Sequence, residues 1–191
     1  PNMEENWADL KSKCPWAKRT HGVYGSDAAH KACAEASDTE RFISVDGDNV
    51  VDPAFFDQVI NFSEADVNLE NSVISWCGKN SINGLVYGNG GIKCWPVEYV
   101  KNMKTHEIAE DEGSQVDFCW DLNYIQMNDA FSLVVNNDTP YQAYRAGFRE
   151  GVKMSLDRGF KVDPVNFEKN IHDKNYHRLL ILSLIHISEP T

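Results

Sequence analysis

The chain has 191 residues, about the length of one domain, and carries 18 Lys+Arg against 29 Asp+Glu, a formal charge of −11. That balance counts against duplex nucleic acid as a partner, because such a binder must neutralise many phosphates with its own cations. A hydrophobic share of 42% is too high for a disordered acidic chain and enough for a core. No apolar run approaches the roughly 20 residues that span a bilayer.

The N-terminus, PNMEENWADL, is acidic, lacks an apolar stretch and does not read as a secretory signal. Lys18 and Arg19 follow, just ahead of an Ala-rich segment, and are candidates to reach an anionic ligand. Ser26 and Asp27 fit the cap of a helix through AAHKACAEA to about Ala36, with Ala28, Ala32, Cys33 and Ala36 as a small-residue face for close packing on a sheet. RFISV, Arg41 to Val45, reads as a buried strand, and DPAFFDQVI as a helix with Pro53 near its first turn. SVISW and INGLVY, Ser72 to Trp76 and Ile82 to Tyr87, read as strands joined by a GKNS turn. Gly88 to Gly91 form a loop, WPVEYVKNM is a short helix with Pro96 at its start, and HEIAEDEGSQ is an acidic, exposed stretch. Thr139-Pro140-Tyr141-Gln142 fits a capping box, after which Tyr141, Tyr144, Phe148, Val152 and Leu156 follow helical spacing as a buried face, with Gly159 as the stop. Alternation of strands and helices predicts an α/β layered domain with a largely parallel sheet, whose ligands sit at the carboxyl ends of strands.

Five cysteines are widely spaced and form no CxxC pair, which argues against a zinc ribbon or a thioredoxin-type site. The odd number points to reduced thiols in a cytosol-like compartment. The chain starts at Pro1 rather than Met, and Leu182 to Thr191, LSLIHISEPT, matches the translation of a transposon-type sequencing-library adapter. The expectation is a natural fragment over residues 1–181, truncated at both ends, followed by an adapter-derived tail over 182–191 that is set aside from functional reasoning.

Chemistry concentrates in ERFISVDGDNVVD. An apolar strand runs directly into Asp46-Gly47-Asp48. Two carboxylates two residues apart at a strand end cost several kcal/mol to desolvate unless a cation or hydrogen-bond donors compensate. A hard divalent ion does so with carboxylate, water and phosphate oxygens. Gly47 would permit a sharp turn and Asn49 a further polar contact. A second constellation is Tyr87, Gly88, Asn89, Gly90, Gly91 and Trp95. Its glycines would let backbone N–H groups approach a sugar or phosphate, and its aromatics would offer a face to a pyranose ring. Arg145, Arg149 and Lys153 share a helix face at i, i+4 and i+8, a stripe able to offset phosphate charge. The histidines include His21, His30, His106, His172 and His177; none falls in an HxxxH or HExxH spacing.

An Ala-rich helix before a strand that ends in DxD, as in AAHKACAEASDTERFISVDGDN, resembles the GT-A class of nucleotide-sugar glycosyltransferases. INGLVYGNGGIKCWP is similar to the strand and glycine-rich acceptor loop that follow DxD in that class. Taken whole, Trp16 to Arg158 resembles glycosyltransferase-like proteins of tailed phages, for which the compartment would be the host cytoplasm. The resemblance implies a GT-A-like, Rossmann-like, mostly parallel sheet flanked by helices in one catalytic domain. It also implies that Asp46 and Asp48 hold Mn²⁺ or Mg²⁺ against the diphosphate of a UDP- or GDP-sugar. An inverting transfer would further need a carboxylate to deprotonate the acceptor hydroxyl. Asp117 in QVDFCWD is the candidate, with Asp121 and Glu107 as alternates.

Two other classes are compatible with a strand ending in DGD. In a haloacid-dehalogenase-type phosphotransferase Asp46 would be the nucleophile. In a calcium-stabilised, non-enzymatic binding module Asp46, Asp48, Asn49 and Asp52 would form the cage.

Overall fold

The computed structural model describes residues 2–60, 71–104, 122–154 and 165. In chain order the elements are α1 (Met3–Lys13), α2 (Ser26–Glu35), β1 (Arg41–Val45), β2 (Asn49–Val51), a 3₁₀ turn (Pro53–Asp57), β3 (Ser72–Asn80), β4 (Val86–Tyr87), β5 (Ile92–Pro96), α3 (Val97–Asn102), β6 (Asn123–Val134) and α4 (Pro140–Met154). The strands form one six-stranded sheet in the order β1-β5-β3-β6-β2, with β4 paired to β3.

This sheet is mixed, which corrects the expectation of a mostly parallel one. Among the described pairings only β3–β6 is parallel; β1–β5, β5–β3, β3–β4 and β2–β6 are antiparallel. The physical reason lies in the connections. From β3 the chain reaches its neighbour β4 through residues 81–85 and its neighbour β5 by residue 92, with no helix between, too short a path for the helical crossover a parallel neighbour requires.

Both faces of the sheet are covered. On one, Val73, Trp95 and Leu122 pack with Ala34 of α2 and with Val97, Val100 and Met103 of the α3 segment. On the other, Val51, Ile74, Trp76 and Ile92 pack with Phe55 of the 3₁₀ turn and with Leu10 of α1. The central strand β3 is therefore buried from Ser72 through Gly78, as its near-continuous SVISWCG run requires.

Several elements differ from their sequence reading. RFISV forms a strand but not a buried one: β1 lies at the sheet edge, none of its residues is buried and Ile43 is 51% exposed. β3 extends to Asn80, so Gly78 to Asn80 belong to the strand rather than to a turn, and only Val86 and Tyr87 of INGLVY are extended. DPAFFDQVI makes a single 3₁₀ turn, capped by the Asp52 carboxylate on the Ala54 amide at 2.9 Å, and Gln58 then returns to extended backbone. In α2 the N-cap is Gly25, with φ of 94°, and the buried residues are Asp27 and Ala34 rather than the Ala28 face. α1, β2 and β6 carried no clear periodic signal and emerge only with the tertiary fold. α4 is a helix as expected, and the Gln142 amide donates to Thr139 Oγ1 at 3.2 Å. Its aromatic stripe is nevertheless exposed: Tyr141 is 70%, Tyr144 67% and Phe148 62% accessible. Helical spacing states which residues share a face, and here that face is not packed into the domain. Leu156, Gly159 and the 182–191 tail lie outside the described residues.

Candidate functional site

β1 ends at Val45, and the next three residues close a tight turn in which the Asn49 amide donates to the Asp46 carbonyl at 3.0 Å. Gly47 lies outside the left-handed region and faces only Met3 Cγ, 3.8 Å from where a Cβ would stand, so the turn does not depend on a glycine there. The turn is fixed from outside instead. Asn6 of α1 donates its carboxamide to the Gly47 carbonyl at 2.9 Å, and the Val135 amide donates to the Asp48 carbonyl at 2.7 Å. Asn49, buried at the start of β2, donates Nδ2 to Asp48 Oδ1 at 2.7 Å and so orients that carboxylate. Its Oδ1 is a buried oxygen without a hydrogen-bond partner.

The glycine loop is brought directly against this turn. The Asp46 amide donates to the Gly91 carbonyl at 3.0 Å, continuing the β1–β5 ladder one step past Val45↔Ile92. The loop itself is built by close approach. A Cβ on Gly90 would lie 2.6 Å from both Gly78 N and Trp76 O, and one on Gly91 2.4 Å from Asn49 Nδ2. Asn89 occupies the left-handed region at φ of 58°, and its amide donates to Gln126 Oε1 at 2.9 Å. Tyr124 donates its hydroxyl to the same Gln126 oxygen at 2.8 Å, while Gln126 Nε2 donates to the Met127 carbonyl at 2.7 Å. One glutamine side chain thus locks the loop to β6.

Strand register assembles a polar row on the face that carries Trp95. Ser44 pairs with Lys93, Lys93 with Ser75, and Ser75 with Gln126. Directly paired residues share a face, and residues two apart on a strand do likewise, so Asp46 extends this row at its open end. Ser75 Oγ in the middle of the row is fully buried and has no hydrogen-bond partner.

Asp46 keeps surface open to solvent yet is crowded by protein on its other sides. That crowding pushes its carboxyl above the ordinary carboxylate range, because the anion is hydrated on one side only. Lys93 acts in the opposite direction, Asp48 adds like-charge repulsion, and His30 and Arg149 contribute smaller favourable fields. His30 Nδ1 lies 2.7 Å from the Ser26 carbonyl, which can only accept, so this nitrogen carries the proton. Its ring meets Trp95 edge-on at 5.9 Å.

Of the residues singled out in the sequence, the fold therefore brings together Asp46, Asp48, Gly88, Asn89, Gly90 and Gly91, while Arg149, exposed on α4, acts on Asp46 only as a weak distant charge. Tyr87 lies in β4 at the loop's entrance, half-buried. Trp95 belongs to the core: it is 1% exposed and its Nε1 donates to Ser44 Oγ at 3.0 Å, so no ring face is available for a sugar. Lys18 and Arg19 are engaged at the surface. Lys18 pairs with Asp38 and donates to the Ala36 carbonyl, while Arg19 makes a two-pronged pair with Glu4 at 2.8 and 2.9 Å and stacks over Trp7. Asp117, Asp121 and Glu107 lie outside the described residues, as does the Lys153 side chain. Lys93, Gln126 and Tyr124 escaped the sequence reading. The signal for Lys93 was its place in alternation with Trp95, which puts both on one face of β5.

Asp52, the fourth member of a conceivable calcium cage, caps the 3₁₀ turn beyond β2 instead of facing Asp46. Among the described residues, no group of three or more His, Cys, Asp or Glu side chains is placed to hold a metal ion. The fold also has a groove of about 330 Å³ at the β2–β6 edge, lined by residues such as Lys13, Val51, Lys79 and Phe131. It contains neither aspartate, and Lys13 is already tied to Asp9 and to the Val51 carbonyl. Among the described residues no helix is long and apolar enough to cross a membrane.

No family model matches the chain, and no curated protein does. A solved structure described as a glycosyltransferase involved in the glycosylation of the major capsid of PBCV-1 is similar to it. That similarity covers 78% of this chain and 91% of that one, at 14% identity and a TM-score of 0.38.

Proposed function

We propose that this chain carries the donor site of a metal-dependent glycosyltransferase, moving a sugar from a nucleotide-diphosphate donor to an acceptor. The observation that supports it most is the Asp46-Gly47-Asp48 turn, hydrogen-bonded to the glycine loop at Gly91 and holding a solvent-accessible carboxylate that its surroundings destabilise as an anion. Such a pair is short of positive charge. Its donors are hard oxygens, the Asp46 and Asp48 carboxylates, which suit Mn²⁺ or Mg²⁺ with waters and diphosphate oxygens completing the shell. Asn49 supports this fit by orienting Asp48, and a further oxygen of the same residue is buried without a partner.

In this reading Asp46 and Asp48 bind the ion, which when present would neutralise the diphosphate as the bond from sugar C1 to the leaving oxygen breaks. The chain's other residues position and screen. Arg149 brings a positive charge towards the same turn from α4, where diphosphate oxygens would gather. Gln126 and Tyr124 hold the Asn89 loop in one conformation, so that its backbone is set before the sugar arrives.

The test is a thermal-shift panel of UDP-, GDP- and CMP-sugars, each with and without Mn²⁺. A rise in Tm that needs both one donor class and the ion is the expected result. No ion-dependent shift with any donor would remove this assignment. Calcium-selective stabilisation without donor binding would favour a binding module, and a trapped phospho-aspartate at Asp46 a phosphotransferase.

A further inference from the structure

Lys93 brings a positive charge to the turn from β5. In the β1–β5 ladder Lys93 lies opposite Ser44, which makes Asp46 its diagonal neighbour on the same face. Diagonal pairs of this kind are about 7–8 Å apart at Cα, within reach of a lysine side chain. The side chain runs towards that end of the sheet: Lys93 Nζ donates to the Gly90 carbonyl at 2.7 Å, one residue beyond the Gly91 carbonyl that receives the Asp46 amide. Its ammonium is thereby held in place, half-buried, beside the turn. The partner it has found is a neutral carbonyl, so its full charge is directed at its surroundings. Of the cations acting on Asp46, Lys93 has the largest effect, ahead of His30 and Arg149; Asp48 is the opposing like charge.

We propose that Lys93 is the resident counter-ion of Asp46 and sets the affinity of this site for a divalent cation. This rests on the metal-site reading given above and adds to it an internal competitor. With no ion bound, the ammonium offsets part of the repulsion between Asp46 and Asp48. An arriving divalent cation must approach against that fixed positive charge, so the site binds metal more weakly than its two carboxylates alone would allow. An anionic diphosphate reverses the balance, because it is attracted by both the ion and the ammonium. The device therefore makes stable metal binding depend on the donor. Lys93 acts here as a positioning residue, through the charge on Asp46.

The test is titration calorimetry with Mn²⁺ alone on the full chain, comparing wild type, Lys93→Met, Lys93→Arg, Asp46→Asn and the double variant Asp46→Asn/Lys93→Met. The methionine variant is expected to bind Mn²⁺ about tenfold more tightly than wild type, the arginine variant like wild type, and both Asp46 variants not measurably. Mn²⁺ binding by Lys93→Met where wild type binds none would support the proposal equally. Unchanged or weaker affinity in Lys93→Met, with wild type binding and Asp46→Asn not, overturns the proposal and leaves the metal site standing. No binding by wild type or by Lys93→Met overturns both. Should the methionine variant fail to fold, Lys93→Gln carries the same comparison, because it removes the charge and keeps a donor for the Gly90 carbonyl.

Discussion

Two turns meet at one end of the sheet and are built on opposite principles. The Gly88–Gly91 loop is defined by what it lacks: Gly90 and Gly91 are buried, and backbone or a buried side chain occupies the space a Cβ would need. The Asp46–Asp48 turn is defined by what it carries. Its glycine is dispensable in conformation, its backbone is held by Asn6 and Val135, and its side chains present two negative charges that little in the fold requires. One turn is optimised for packing at the expense of variety; the other keeps an electrostatic burden. Residues that cost stability without contributing to packing are where a ligand is to be sought.

Substitutions in the two turns should therefore differ in kind. The largest effect is expected for Gly90→Ala, whose new methyl would press on the Gly78 amide and the Trp76 carbonyl at 2.6 Å. Neither backbone group can move without disrupting β3, so a loss of about 2–3 kcal/mol in urea unfolding is predicted, with ion binding weakened only indirectly. A midpoint near that of wild type would mean that the loop is not packed as described.

Asp46→Asn should do the reverse. In the presence of chelator it is expected to raise Tm by roughly 1–2 °C, a gain reduced by solvent screening, since it removes a partly desolvated anion that Asp48 repels. The same variant should lose the Tm rise that Mn²⁺ plus UDP gives wild type. Equal ligand-induced shifts in wild type, Asp46→Asn and Asp48→Asn would end the assignment of this turn as a site.

A smaller effect of defined sign concerns pH. The Asp46 carboxyl is raised above its unfolded value, chiefly by desolvation, so the folded chain holds this proton more tightly than the unfolded chain does. Its contribution to stability is intact below the ordinary carboxylate pKa near 4 and is lost as pH rises through the folded value. In metal-free protein the stability advantage of Asp46→Asn over wild type should accordingly be smallest in acid and grow with pH to a plateau. Parallel Tm–pH curves for the two proteins would show that the carboxylate is solvated after all.

The smallest effect is expected for Gly47→Ala. An ordinary 3.8 Å contact with Met3 Cγ and an unexceptional backbone predict a change within about 0.5 kcal/mol by the same urea measurement. A large loss there would erase the contrast between the two turns.

Much of the local structure was legible in advance. β1, the core of β3, α2, α3, α4 and the loop at Gly88–Gly91 follow from period, caps and turn residues, because those signals act between residues close in the chain. Burial was less legible. Tyr144 and Phe148 share a face of α4 and stack on each other at 6.1 Å, as their spacing demands, but whether that face meets the sheet depends on where the helix lies. Trp95 shows the opposite error. Beside a glycine loop it read as a sugar platform, whereas its strand partner Phe42 and the neighbouring α2 and α3 enclose it.

Local pattern was enough to place Asp46 and Asp48 in a turn at the end of a strand, because the β-prone apolar run RFISV stops where Asp46-Gly47-Asp48 begins. It also determined that a glycine-rich loop would follow a buried strand. Long-range pairing decided that the sheet is mixed, that β6 runs parallel to β3 while β5 runs against it, and that β1 pairs with β5 so as to put the two turns in contact. Register is a relation between segments far apart in the chain, and a one-residue slip would turn Lys93 to the opposite face. No local pattern records that relation. For the same reason the neighbours that set the charge on Asp46 — Lys93, His30 and Arg149, from three separate elements — were visible as residues but not as a site.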